Sequence, residues 1–277
     1  MPLPHDWNPP PDWRLPEGWT SALPPVLPQI ESVARPCRVG RLADAPTRSR
    51  FGGYPTVPPD FTWPHHNGRG LDYLGHVDHR DLRCPAIPDG VAQFFYDPRG
   101  GFGYKPEDAG FIRVLHRSQA DLDAGRPLTA DDLPVWTERR WFGLRQRVVG
   151  PTVYAETSVA FEDATSYPDP ERGLIDFGVS ESPNQAEEEY TEQLAAFGAD
   201  RPVQIGGYPR PIQSDRMEVD AARCVGVGQP SDWRLLLEMR ELGDMWFGDA
   251  GTLYWFILEA DDAVGRLDRV WMVMQCY

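Results

Sequence analysis

One short signature occurs twice in this chain, and it limits the possible folds more than any other feature. Phe51-Gly52-Gly53-Tyr54-Pro55 recurs as Ile205-Gly206-Gly207-Tyr208-Pro209. Each copy is followed by three apolar or aromatic runs. Behind the first come LDYLGHVD (71–78), GVAQFFYD (90–97) and GFIRVLHR (110–117). Behind the second come WRLLLEM (233–239), GTLYWFIL (251–258) and RVWMVMQ (269–275). Gly90 answers Gly251 and Tyr73-Leu74 answers Leu235-Leu236, so the spacing between runs is almost the same in both copies. Short runs of this kind, bounded by glycine and proline, read as strands. A matched order of strands predicts an internal duplication: two similar β-rich halves related by an approximate two-fold axis. A half this small buries too little apolar surface alone, so the two are expected to share one core. The fold class expected is α+β and strand-dominated.

The duplicated glycines read as turns. Neither Gly52-Gly53 nor Gly206-Gly207 opens a GxGxxG or GK[ST] helix start, so a phosphate loop is not indicated. Glycine supplies positive φ and the following proline fixes the exit.

Composition divides the rest of the chain. The first 28 residues hold nine prolines, with Trp7, Trp13 and Trp19 at six-residue spacing. Residues 1–34 are therefore read as a proline/tryptophan-rich arm that lies across the domain and buries its tryptophans there. A single domain is expected over 35–277, with repeat halves at about 35–150 and 200–277 and an acidic connecting segment over 156–200. Within that segment Pro183 to Phe197 has helical spacing, with Tyr190, Leu194 and Phe197 on one face. Shorter helices are expected over 118–124 and 129–133.

The formal charge of -15 argues against sequence-independent nucleic-acid binding and against adhesion to anionic membranes. No apolar run is long enough to span a bilayer, and the N-terminus lacks the pattern of a signal peptide. Four scattered cysteines without a CxxC suit reduced thiols in a cytoplasm. From Glu156 to Asp200 there are twelve acids and one base, Arg172. That imbalance points to a basic protein partner, with Glu187, Glu188, Glu189 and Glu192 as the contact surface. A solubilising acidic face is the plainer explanation of the same residues.

Chemistry-bearing residues are sparse. His65, His66, His76, Asp78 and His79 fall close together, but two ligands on a strand do not make a metal site and no HExxH is present. No GxSxG occurs, and Cys84 shows no signature of a nucleophile. No cofactor, metal or catalytic residue is therefore assigned. A ligand cleft between the halves remains the alternative, with His76, Asp78, Trp246 and Asp249 as its polar and aromatic lining.

Taken in order, FGGYP with FTWP, LGHVD, GVAQFFYD, GGYPRPIQSDRM, WRLLLEM, MWFGDAGTLYWFI and VWMVMQCY resemble the YwqG-like family. That is a bacterial domain family of unknown function. The resemblance runs from about Arg35 to Tyr277 and implies a strand-dominated α+β fold with two similar halves. It carries no catalytic residue. Two positions depart from the family pattern: His76 stands where a glutamine precedes Asp78, and Glu238 and Arg240 stand where a Gln/Asp pair is usual. Proteins similar to this family occur beside secreted toxins, so the resemblance also implies an immunity or antitoxin role.

Overall fold

A computed structural model describes residues 21–140, 145–198 and 201–277. Trp7, Trp13 and Trp19 lie outside the described residues. Ten strands form one sheet: β1 (Arg35–Leu42), β2 (Ser49–Phe51), β3 (Asp72–Asp78), β4 (Val91–Tyr96), β5 (Ile112–Arg117), β6 (Thr157–Ser166), β7 (Val203–Ile205), β8 (Trp233–Met239), β9 (Thr252–Leu258) and β10 (Trp271–Gln275). Their order is β10-β9-β8-β7-β1-β6-β2-β3-β4-β5. Every neighbouring pair is antiparallel. The fold is thus α+β and strand-dominated.

The order reads alike from either end. A long strand, a three-residue strand and a three-strand meander follow one another on each flank. All six runs behind the two signatures are strands, and β3 and β8 each carry a bulge, at Tyr73/Gly75 and Leu235/Leu237. Gly52, Gly53, Gly206 and Gly207 all have φ between 65° and 72°. A side chain at Gly207 would also strike Ser166 Oγ at 2.1 Å, so both signatures are turns that tolerate little else.

The centre of the sheet differs from the sequence expectation. Thr157–Ser166, read as connecting segment, is β6, the strand that pairs with β1 along its whole length. The flanks consequently exchange a strand: β1 joins β7 of the later flank, and β6 joins β2 of the earlier one.

The sheet nearly closes on itself around one core. Phe94 of β4 meets Trp255 of β9 with ring centroids 5.2 Å apart. The chain leaving β4 lies along β10: Met274 N donates to Phe102 O at 2.9 Å and Trp271 Nε1 to Gly103 O at 2.8 Å. One outward backbone donor of that edge strand, Met274 N, is thereby used. β4 and β9 are buried along their whole length, on both faces. Phe95 packs away from the main core with Leu71 and Tyr73, which explains why these strands read as continuous apolar runs.

Among the described residues six helices surround the sheet: α1 (Leu27–Val33), α2 (His79–Leu82), α3 (Gln119–Ala124), α4 (Pro183–Gly198), α5 (Met217–Val225) and α6 (Glu259–Ala263). The expected helices at 118–124 and 183–197 are α3 and α4, and Ala130–Asp132 forms a 3-10 turn with Thr129 as its cap. Residues assigned to the arm do more than lie across the surface. Leu23, Val26, Leu27 and Ile30 pack on Phe177, Ala186 and Tyr190 in a second, smaller core that joins α1 to α4.

Candidate functional site

The ladder registers identify equivalent positions in the two flanks. His76 of β3 lies opposite Arg50, two residues before Gly52. Glu238 of β8 lies opposite Gln204, two residues before Gly206. Two residues on, the strands end at equivalent corners, at Asp78 in one flank and Arg240 in the other.

The corner at Asp78 is sealed. Asp78 Oδ1 accepts from Arg80 N and Arg80 Nε, both at 2.9 Å, and so caps α2. Asp78 N donates to Ser49 Oγ, and that hydroxyl donates to Asp81 Oδ2 at 2.6 Å. Arg38 reaches in from β1 to Asp81 at 2.8 Å and to the carbonyl of Phe161 at 3.0 Å. Burial would raise the Asp78 carboxyl, but the hydrogen bonds from Arg80 hold it below the usual carboxylate range. Just inside, His76 Nδ1 accepts from Tyr73 OH at 2.9 Å, and Nε2 lies 3.0 Å from Arg48 O. That pairing fixes the neutral tautomer with hydrogen on Nε2. Burial, aided by the Arg50 charge, lowers the His76 pKa to about 4.

The second flank places a different network at its equivalent position. Glu238 is fully buried and accepts from Arg210 N at 2.9 Å and Arg210 Nε at 2.8 Å. Gln204 Nε2 donates to Tyr208 O, and Tyr254 OH donates to Arg210 O. Gln275 Oε1 accepts from Ile212 N and Gln213 N, and its Nε2 donates to Ser214 O. Four polar side chains from β7, β8, β9 and β10 thus grip the backbone of the loop that follows the second signature. Tyr208 itself is buried, with the guanidinium groups of Arg35 and Arg172 over its ring at 4.3 and 5.3 Å. Burial pushes the Asp215 carboxyl beside Arg172 up to about 6. Sequence reasoning noticed the Glu238/Arg240 departure but not this gripping role. The strand period puts Gln204 and Glu238 in register and was the available signal.

Beyond Glu238 the second corner is open. A cavity of about 590 Å³ lies there, with Arg41, Arg201 and Arg240 in its lining. A second cavity of about 510 Å³ lies over Phe61 and Trp63. The four residues proposed for an inter-half cleft fall into two pairs. His76 and Asp78 belong to the sealed corner, whereas Trp246 is 68% exposed and Asp249 lies between exposed Gly248 and Ala250. Among the described residues no hydrogen bond, ion pair or ring contact joins His76 or Asp78 to Trp246 or Asp249. His65 and His66 sit on a separate hairpin with Arg69–Gly70, where His66 packs edge-on to Phe111. Among the described residues no group of three side chains could hold a metal ion. The Cys84 thiol donates to Asp262 Oδ1 at 2.7 Å, and burial pushes its pKa up to about 12, the reverse of what a nucleophile needs.

The acidic surface splits. Glu187, Glu188 and Glu192 point outward from α4 and are exposed, as is Glu181 just before it. Glu189 does not belong with them, a correction to the sequence reading. It is 1% exposed and accepts from Ser21 Oγ at 3.1 Å, Ala22 N at 3.0 Å and Gln185 Nε2 at 2.7 Å. Its spacing explains this: Glu189 lies three residues from buried Ala186 and beside Tyr190, on the inner face of the helix. The outward acids have no ion pair among the described residues. Several acids of the sheet and of α6 are matched by arginines: Glu162 with Arg41, Asp97 with Arg99, Glu238 with Arg210, Asp262 with Arg234 and Asp261 with Arg269.

Among the described residues no helix is long and apolar enough to cross a membrane. No curated protein matches the chain. A family match covers residues 49–276, which takes in both signatures, all six strands behind them, and Asp78 and Arg240. On that match the chain belongs to the family described as a domain of unknown function (DUF1963).

Proposed function

We propose that this protein is a non-enzymatic binding protein that engages a basic partner through the outer face of α4. The observation behind the reading is the unequal use of charge. Many acids of the sheet are paired with arginines, while Glu181, Glu187, Glu188 and Glu192 are gathered on and just before one helix without a counter-charge among the described residues. An unpaired acidic face steers a cationic protein into contact and is screened by salt. The helix beneath it is anchored by its apolar face, so reversing the outward charges leaves its seat intact.

The YwqG-like resemblance gives the partner a class: a basic toxin, with this chain as its immunity or antitoxin protein. The same proposal places the chain in a reducing cytoplasm, where its four cysteines stay free. The alike flanks of the sheet are best explained as products of one internal duplication, supported by the recurring signature and the palindromic strand order.

Capture from host lysate tests the reading. Wild type retains a basic protein at low ionic strength and releases it at about 0.3 M salt. The variant Glu187→Lys/Glu188→Lys/Glu192→Lys, folded by circular dichroism, does not retain it. Equal retention of the same protein by that variant overturns the proposal.

A further inference from the structure

We propose that the open corner at the ends of β1 and β8 is a binding site for a small phosphorylated molecule with a planar body, of the nucleoside monophosphate class. The site is separate from the acidic face of α4 and does not rest on it.

Three arginines meet there in a chain whose net charge is -15. Arg41 lies near the end of β1, Arg201 just before β7 and Arg240 just after β8. These strands are consecutive neighbours in the sheet, and Arg240 N donates to Pro202 O at 2.8 Å, so the three are drawn to one mouth. Each is held differently. Arg201 is 5% exposed and its guanidinium lies 3.4 Å from the centroid of the Phe197 ring. Arg41 shares an ion pair with Glu162 at 3.0 Å. Arg240 is half-buried, and its guanidinium has no hydrogen bond or ion pair among the described residues. Among the side chains of the lining, three are arginines and one, Glu241, is acidic.

A guanidinium fork matches phosphate oxygens in pairs, and several forks around one mouth suit a dianion better than a single carboxylate. The remaining wall is apolar. Leu42 is 63% exposed and Tyr277 75% exposed, and both line the cavity. An exposed tyrosine ring beside cationic donors offers a stacking surface for a planar group attached to the phosphate. The volume of about 590 Å³ accommodates a ligand of that size.

The equivalent corner of the other flank shows that this opening is not dictated by the strand pattern. There, Asp78 occupies the position of Arg240, α2 follows directly, and Ser49, Asp81 and Arg38 fill the space with hydrogen bonds. After Arg240 no helix follows, and the chain runs on through exposed Glu241. Arginine thus stands where the sealed corner has a carboxylate, and the space that the carboxylate network fills is left open.

Calorimetric titration of the full chain with AMP, adenosine and inorganic phosphate tests the assignment. AMP binds, and adenosine and phosphate each bind roughly tenfold more weakly or worse, because each supplies half of the contacts. Arg240→Ala weakens AMP about tenfold, and Arg240→Lys, which keeps the charge but not the fork, falls between. Absence of heat with AMP up to about 5 mM overturns the proposal. So does unchanged AMP affinity in folded Arg240→Ala. Phosphate binding as tightly as AMP overturns the planar-body assignment and leaves a site for the inorganic ion.

Discussion

The ends of β3 and β8 occupy equivalent places in the sheet and are finished in opposite ways. At the end of β3 the polar groups satisfy one another: Asp78 caps α2, Ser49 bridges to Asp81, and Arg38 closes the gap. At the end of β8 the network stops at Glu238, two residues before Arg240, and Arg240 lines a cavity. The contrast separates groups the fold needs from groups it leaves available. α4 repeats the lesson along one helix, with Glu189 bound inside and Glu187, Glu188 and Glu192 unpaired outside.

The largest effect expected is at Glu238. Glu238→Ala removes the fully buried carboxylate to which Arg210 N and Nε donate, and a loss of about 3–5 kcal/mol is expected in denaturant unfolding. A loss below about 1 kcal/mol would mean that the grip on the 206–215 loop is dispensable, and the two corners would then be alike in energy.

Next is the pH response of the first flank. His76 titrates near 4 in the fold against 6.5 as an ordinary histidine. The unfolded chain therefore binds more protons between those values, and stability falls as pH drops through that window. The fall attributable to His76 is about 3 kcal/mol between pH 6.5 and 4. Unfolding measured across that range should show the difference between wild type and His76→Gln shrink accordingly. A constant difference contradicts a buried neutral imidazole.

A smaller effect separates the two kinds of acid on α4. Glu189→Ala removes charged acceptors from Ser21 and Ala22 and should cost about 2 kcal/mol, with faster proteolysis near residue 21. The triple change at Glu187, Glu188 and Glu192 should stay within about 0.5 kcal/mol of wild type. Equal costs would place all four in one structural role and weaken the case for a binding face.

How much of this was legible in the sequence depended on which elements announce themselves by pattern. The six strands behind the signatures are apolar throughout because both faces are covered, and they read plainly. β6 did not: Thr157–Ser166 alternates weakly, and its acids Glu162 and Asp163 suggested a solvated connector. Those acids are tolerated at the centre of the sheet because Arg41 and Arg38 pair with them from β1, a cross-strand fact that no local window contains. α5 was missed although Met217, Ala221 and Cys224 have helical spacing and are buried. The site suffered more. His76, Asp78, Trp246 and Asp249 were joined by the type of their side chains, whereas contact is decided by which loop returns to which strand end. Arginines scattered at 41, 201 and 240 share no sequence pattern; the exchange of β1 between flanks is what brings them to one mouth.

The claim that one corner is closed by the fold and the other left open is tested most directly by unfolding Asp78→Ala and Arg240→Ala side by side in urea at pH 7. Asp78→Ala strips the cap of α2 and takes away the carboxylate to which Arg80 N and Nε donate, while the backbone bond from residue 78 to Ser49 stays, and a loss of about 1–2 kcal/mol is expected. Arg240→Ala removes no hydrogen bond or ion pair among the described residues, and a change within about 0.5 kcal/mol is expected. Equal losses at the two positions, or a larger loss at Arg240, would contradict it.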